Sequence, residues 1–183
     1  MIDFPLTAFL NFSNLELVFF IVLVIPTIYV MVTGAPFIPT QMTQVDRMLK
    51  AAKLKPGMKV YDLGSGDGRL VYKAAKEYGC DATGYEYSPF VWLWSQFLAR
   101  FFWKSKAKNH LGNLWKKDIS DADVIVCYLM PHMMKQMQAR IFPQLKPGTL
   151  IVSHAFSIPD LKTWKSLKRD PERRLGPVWI YKT

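Results

Sequence analysis

Apolar positions along the chain keep changing period, and each change marks the edge of an element. Between Gln41 and Leu54, Met42, Val45, Met48, Leu49 and Ala52 recur at the spacing of one helix face, and Pro56-Gly57 ends the run. MKVYDLG, residues 58–64, is a short apolar run of the kind a buried strand carries. DGRLVYKAAKEYG, 67–79, returns to helical spacing and is closed by Gly79, and ATGYEY, 82–87, is strand-like again. Strand, helix and strand within about 30 residues make a βαβ unit.

The alternation continues. SPFVWLWSQFLARFFW, 88–103, predicts a helix opened by Ser88 with Pro89 at its first position. NHLGNLW, 109–115, is a candidate third strand. DVIVCYLM, 123–130, is a β-branched run suited to the centre of a parallel sheet, followed by a helix from His132 to Phe142. LKPGTLIVSHAF, 145–156, repeats the turn-then-strand pattern, and TWKSLKR with PVWIYKT predicts a closing antiparallel pair. Strands alternating with helices imply a doubly wound, Rossmann-like α/β sheet.

Ahead of Gln41 the pattern is different. Leu17 to Val32 is apolar almost without interruption, and no charged residue lies between Glu16 and Asp46. With its flanks this run reaches the roughly 20 residues that a helix needs to cross a bilayer. Asp3 and Glu16 precede it and Arg47, Lys50, Lys53 and Lys55 follow it, which is the wrong way round for a secretory signal. The positive-inside rule then puts the C-terminal part in the cytoplasm. A buried core helix, or one lying in the membrane interface, is the alternative. Two prolines in GAPFIPT, 34–40, mark the boundary, so residues 1–35 are expected as an N-terminal transmembrane or membrane-anchoring helix and residues 36–183 as one domain.

Charge sharpens the choice of partner only in part. Lys and Arg outnumber Asp and Glu by 24 to 14, which favours nucleic acid or anionic lipid. The cations are spread along the chain without a recognisable RNA-binding module, so a bilayer explains the excess and no nucleic-acid partner is expected. Cys80 and Cys127 are too far apart in sequence for a C-x-x-C motif and read as free thiols, and His110, His132 and His154 are too scattered for a zinc site.

The densest chemistry is YDLGSGDGR, 61–69. A glycine-rich turn between a strand and a helix lets a ligand lie against bare backbone. A dinucleotide fingerprint needs a third glycine where this chain has Arg69, and a P-loop needs G-K-[ST], which is missing. What stands here is D-x-G-x-G-x-G, through Asp62, Gly64, Gly66 and Gly68, with Asp67 added. Two acids suit a ligand with an ammonium group and no phosphate. Glu86, at the end of the second strand and 24 positions after Asp62, is placed to accept the hydroxyls of a ribose. The alternatives are that Asp67 caps the following helix and that Glu86 is a solvated strand end.

These parts resemble the seven-strand S-adenosylmethionine methyltransferases. PFIPT, YDLGSGDGRLV, GYEYSPFVWLWSQ, NLWKKDIS and VWIYK, in that order, look more narrowly like the small membrane-tethered lysine methyltransferases that act on the ATP synthase c subunit or the adenine nucleotide translocase, and their prokaryotic relatives. The resemblance implies a seven-stranded sheet and S-adenosyl-L-methionine as cofactor. It implies that Asp62, Gly64, Gly66 and Gly68 line the methionine part, with Ser65 and Asp67 between them. Glu86 would lie at the ribose, Asn113 and Leu114 beside the adenine, and Tyr87 is a further cofactor-binding candidate. Relatives usually carry Asp where this chain has Asn113, whose amide oxygen can still accept from the adenine amino group. The YLMP that follows the fourth strand differs from the (N/D)PP(Y/F) of many base and glutamine methyltransferases.

The expected reaction is methyl transfer to the side-chain amine of a lysine in a membrane protein, with the domain on the cytoplasmic or mitochondrial matrix side. The amine must first lose a proton, since its pKa in water is about 10.4. Tyr128 and the backbone carbonyls after the fourth strand are expected to orient it. Thr40, with Gln41, is expected to close over the cofactor, or else to cap the helix. His154 is a candidate proton acceptor or a structural histidine. The aromatic row Phe90, Trp92, Trp94, Phe97, Phe101, Phe102 and Trp103 exceeds what one buried helix face needs. The rivals are methylation of a small molecule or lipid, and a non-catalytic membrane scaffold that keeps the cofactor fold.

Overall fold

The computed structural model describes residues 13–26, 28–29, 36–105 and 107–183. Its centre is a seven-stranded sheet. β1 (Lys59–Leu63), β2 (Asp81–Glu86), β3 (Lys108–Leu111), β4 (Val124–Cys127), β5 (Leu150–His154), β6 (Lys165–Leu167) and β7 (Val178–Lys182) stand in the order β3-β2-β1-β4-β5-β7-β6. β7 is antiparallel to both its neighbours, and the pairs from β3 to β5 are parallel. The order reverses between β1 and β4, which opens a crevice at their C-terminal ends.

The helices are α1 (Asn14–Phe19), α2 (Met42–Ala51), α3 (Arg69–Tyr78), α4 (Pro89–Leu98) and α5 (Pro131–Arg140). Val45, Met48 and Leu49 of α2 and Leu70, Val71 and Ala74 of α3 pack on one face of the sheet. Met133, Met134 and Met137 of α5 pack on the other. β4 divides its side chains between the two: Val124 and Val126 go to the first core, Ile125 and Cys127 to the second. A strand covered on both faces has no position for a polar residue, which is why 123–130 contains so long an apolar run.

Several elements end earlier than their sequence suggests. The apolar run from 123 stops being strand at Cys127, because Tyr128 to Met130 turn over the sheet's end and Pro131 starts α5. The expected strand 109–115 ends at Leu111: Gly112 donates to the Glu86 carbonyl, and Asn113 caps a 3-10 turn, Leu114–Lys116. The helix expected over 88–103 runs to Leu98 and finishes as a π-helical turn, Ala99–Trp103.

The N-terminal expectation for residues 1–35 lies partly outside the described residues. α1 is opened by a capping box, with Ser13 and Glu16 each bonding the other's backbone N–H, and continues as a π-helical turn, Phe20–Val24. Among the described residues, no helix is long and apolar enough to cross a membrane. After this wide turn Ile25 and Pro26 are again α-helical. Residues 27 and 30–35, which the spanning segment also required, lie outside the described residues.

β7 also fixes the loop beyond β5. Tyr181 is fully buried, and its hydroxyl accepts from the Ile158 N–H at 2.8 Å. Tyr181→Phe leaves that N–H unpaired in the core and is expected to cost roughly 1–3 kcal/mol, measured by urea unfolding, without changing the sheet.

Candidate functional site

The crevice at the β1–β4 reversal is the mouth of a cavity of about 610 Å³. Its floor is the turn after β1. Gly66 sits there at φ +56°, and an added Cβ would lie 2.7 Å from the Phe37 ring, so the backbone and this aromatic are in direct contact. Phe37 belongs to residues 36–40, all of which line the cavity. Arg69 ties the segment down: its Nη1 donates to the Thr40 carbonyl at 2.6 Å, while Nε donates to both oxygens of Asp67 at 2.9 and 3.0 Å. The Arg69–Asp67 pair is completed by Nη2.

Three carboxylates are buried at this turn: Asp62, Asp67 and Glu86. They are not equivalent. Asp67 is neutralised by Arg69 and also accepts the Arg69 backbone N–H at 3.2 Å, so it organises the start of α3 instead of offering a charge to a ligand. Glu86 accepts the Gly66 N–H at 2.9 Å on one oxygen and the Ser88 N–H at 2.7 Å on the other, joining the loops after β1 and β2. Burial raises its pKa, and the N–H groups of Ser88, Gly66 and Tyr87 oppose the rise. Among the described residues, no hydrogen bond or cation reaches the carboxylate of Asp62. Burial first, then the charges of Glu86 and Asp67, push its carboxyl up to about 8.

The remaining expected residues fall as follows. Gly64, Ser65, Asp67, Tyr87, Asn113, Leu114, Thr40 and Tyr128 all line the cavity. Gly68 is the left-handed residue that opens α3. Asn113 Oδ1 accepts the Trp115 N–H at 2.9 Å, which commits one of its lone pairs to the 3-10 turn. Gln41 is outside the lining and is the N-cap residue of α2, without a side-chain bond, so Thr40 does not cap that helix. His154 is also outside the lining: its Nδ1 lies 3.1 Å from Gln44 Nε2 and 3.3 Å from the Pro177 carbonyl, and burial lowers its pKa. Its ring packs on that of Tyr128, with centroids 4.5 Å apart.

Behind the glycine turn lies a buried polar network that sequence reasoning misses. Ser65 Oγ donates to Asn109 Oδ1 at 2.6 Å, and Asn109 Nδ2 donates to Ser95 Oγ at 2.8 Å. Ser65 therefore directs its hydroxyl into the protein, away from any cofactor. The chain does carry a signal for it. Gly84, in the middle of β2, leaves the space: a Cβ there would lie 2.6 Å from Asn109 Oδ1, and a glycine inside a strand marks such close approach.

A model of the ANTKMT methyltransferase domain family matches residues 62–165, more than half of the chain. The chain belongs to this family. The chain shares 34% identity over 129 residues with the lysine N-methyltransferase of the ATP synthase c subunit from Xenopus laevis, covering 68% of this chain and 55% of that one. It is 32% identical over 154 residues to a protein-lysine N-methyltransferase of Saccharolobus islandicus, covering 82% and 94%. The crystal structure of an RNA methyltransferase from Salinibacter ruber in complex with S-adenosyl-L-homocysteine superposes with a TM-score of 0.71 at 33% identity, covering 79% of this chain and 93% of that one. The chain spans about half the length of the vertebrate relatives it matches.

One feature of the site fits a cationic ligand such as S-adenosylmethionine independently of kinship. The unpaired buried carboxyl of Asp62 is held protonated by its surroundings, and a cationic ligand beside it restores its charge. An ordinary carboxyl ionises near 4, so between about pH 4 and 8 the unfolded chain loses a proton that folded Asp62 keeps, and this group subtracts stability as pH rises through that window. Cofactor affinity is therefore expected to increase from pH 6 to 7.5 with net proton release, read by calorimetry in buffers of different ionisation heat. Asp62→Asn is expected to stabilise the cofactor-free protein by roughly 1–3 kcal/mol at pH 8. The same change should weaken cofactor binding about tenfold or more and abolish the proton release.

Proposed function

We propose that the protein transfers a methyl group from S-adenosylmethionine to the side-chain amine of a lysine in a protein substrate presented at a membrane, with its α/β domain on the cytoplasmic or matrix side. The observation that carries this reading is the apolar part of the cavity lining. Phe37, Ile38, Pro39, Tyr128, Leu129 and Met133 form it, an apolar surface suited to the aliphatic stem of a lysine. The curated relatives named as lysine methyltransferases point the same way.

The cofactor supplies a methyl group already activated on a positive sulfur. The chain's own residues have the simpler tasks of binding, alignment and exclusion of water. Asp62 would balance the cofactor's cationic part and Glu86 would receive its ribose hydroxyls, with Asn113 and Leu114 beside the adenine. The 36–40 segment, held by Arg69, closes the cavity from the side of Phe37. A protonated lysine entering between Phe37, Tyr128 and Met133 loses hydration that these walls do not replace, which lowers its pKa and favours the neutral amine. The released proton leaves through the mouth to solvent, since His154 is engaged behind Tyr128. The Tyr128 hydroxyl would accept an N–H of the neutral amine and so orient it in the cavity. Tyr128→Phe is expected to lower kcat about tenfold with cofactor affinity unchanged; full turnover in this variant removes the role.

A membrane location draws support from the N-terminal helix, whose Leu17, Val18, Phe19, Ile21 and Val22 are about half exposed. A second reading, RNA methylation, is favoured by the likeness to the Salinibacter ruber RNA methyltransferase. Incubating the full chain with isotope-labelled S-adenosylmethionine, membranes and total RNA from its source separates the two. Label on a lysine of a membrane protein, absent with Glu86→Ala, is the expected result; label in RNA or in lipid replaces the substrate class.

A further inference from the structure

α4 is folded inside out for a helix in water. Ser95 is completely buried, bonded to Asn109 and to the Trp92 carbonyl, whereas Phe90, Trp94, Phe97 and Phe101 share an outward stripe at spacings of four, three and four. The stripe is between 45% and 61% exposed, and Phe102 beside it is 66% exposed. Trp94 and Phe97 stack at 5.3 Å, and Phe97 meets Phe101 at 4.7 Å, so the rings form one continuous surface. So large an aromatic patch facing water is costly unless something covers it.

We propose that this aromatic face of α4 and its π-helical turn is a second membrane-contact surface, inserted among the headgroups of an anionic bilayer beside the mouth of the cavity. Three observations select a bilayer as the occupant. Trp and Phe with basic neighbours are the residues that settle at a lipid–water interface. From residue 87 to 117 the chain has no Asp or Glu and six Lys or Arg, and Arg100, Lys104 and Lys108 are exposed next to the stripe. The turn Phe20–Val24, continuous with the apolar α1, lies alongside α4, so the two exposed apolar surfaces adjoin. Tyr87 and Phe90 line the cavity, which places its opening at the depth where the lysine of a membrane protein emerges. The inference rests on the membrane reading above, and its test separates the two.

Cys80 and Cys127 are buried with raised thiol pKa values, that of Cys127 reaching about 12, so a cysteine introduced on the surface labels selectively. Phe101→Cys in the full chain is labelled with an environment-sensitive fluorophore. A control carries the label at Glu172→Cys, exposed in the segment that joins the far edge strand β6 to β7. With phosphatidylglycerol-containing vesicles, the label at 101 is expected to shift to the blue and to be quenched by brominated acyl chains, while the label at 172 does neither. Protein that floats with the vesicles while the label at 101 stays aqueous overturns the proposal and leaves the N-terminal anchor standing. Protein that does not float with the vesicles overturns both. A blue shift without lipid that grows with protein concentration assigns the face to a second copy and overturns the proposal.

Discussion

Three carboxylates are buried around one glycine turn, and among the described residues only Asp67 has a cationic side chain to meet it. Burying a charge without a partner is costly, so the turn must solve that problem for each acid separately. Arg69 neutralises Asp67 and, with the same guanidinium, fastens the segment that covers the site. Glu86 draws on backbone N–H groups, and by doing so locks the ends of β1 and β2 to each other. Asp62 is left over. Burial pushes its carboxyl up to about 8, so it gains its charge only beside a positive ligand.

A related constraint governs the back of the turn. Ser65, Asn109 and Ser95 bond in a chain, linking the glycine turn, β3 and α4. α4 turns Ser95 and Trp92 toward that network, Trp92 Nε1 donating to the Asn109 carbonyl at 2.9 Å, and leaves Phe90, Trp94 and Phe97 outward. The support of the glycine turn and the exposed aromatic face thus share one helix.

Much of the architecture is legible without coordinates. The βαβ unit, the continuous apolar strand at 123 and the antiparallel closing pair follow from period and from turn residues, since burial on two faces, one stripe or one edge leaves a direct mark on residue type. The D-x-G-x-G-x-G spacing and Glu86 identify the loop and the strand end that meet in the cavity. Boundaries are less legible: 109–115 has the pattern of one strand, yet Gly112 and Asn113 turn the chain through bonds to Glu86 and Trp115 that no periodicity encodes. The capping box at Ser13 and Glu16 is written in a local S-x-x-E pattern that an uninterrupted apolar run easily hides.

Local chemistry in the sequence determined which residues are acidic, which turns are bare, and where helices and strands alternate, because those properties depend on neighbours a few positions away. Only the tertiary structure decided what each acid does. Asp62 and Asp67 look alike in YDLGSGDGR, yet Asp67 is paired by the guanidinium of Arg69 two positions on, whereas among the described residues no cation meets Asp62, which the fold buries. His154 and Tyr128 likewise differ by position alone: the sheet's end turns Tyr128 into the cavity and leaves the histidine behind it, bound to Gln44. Contacts between residues more than 100 positions apart set that outcome, and no pattern along the chain records them.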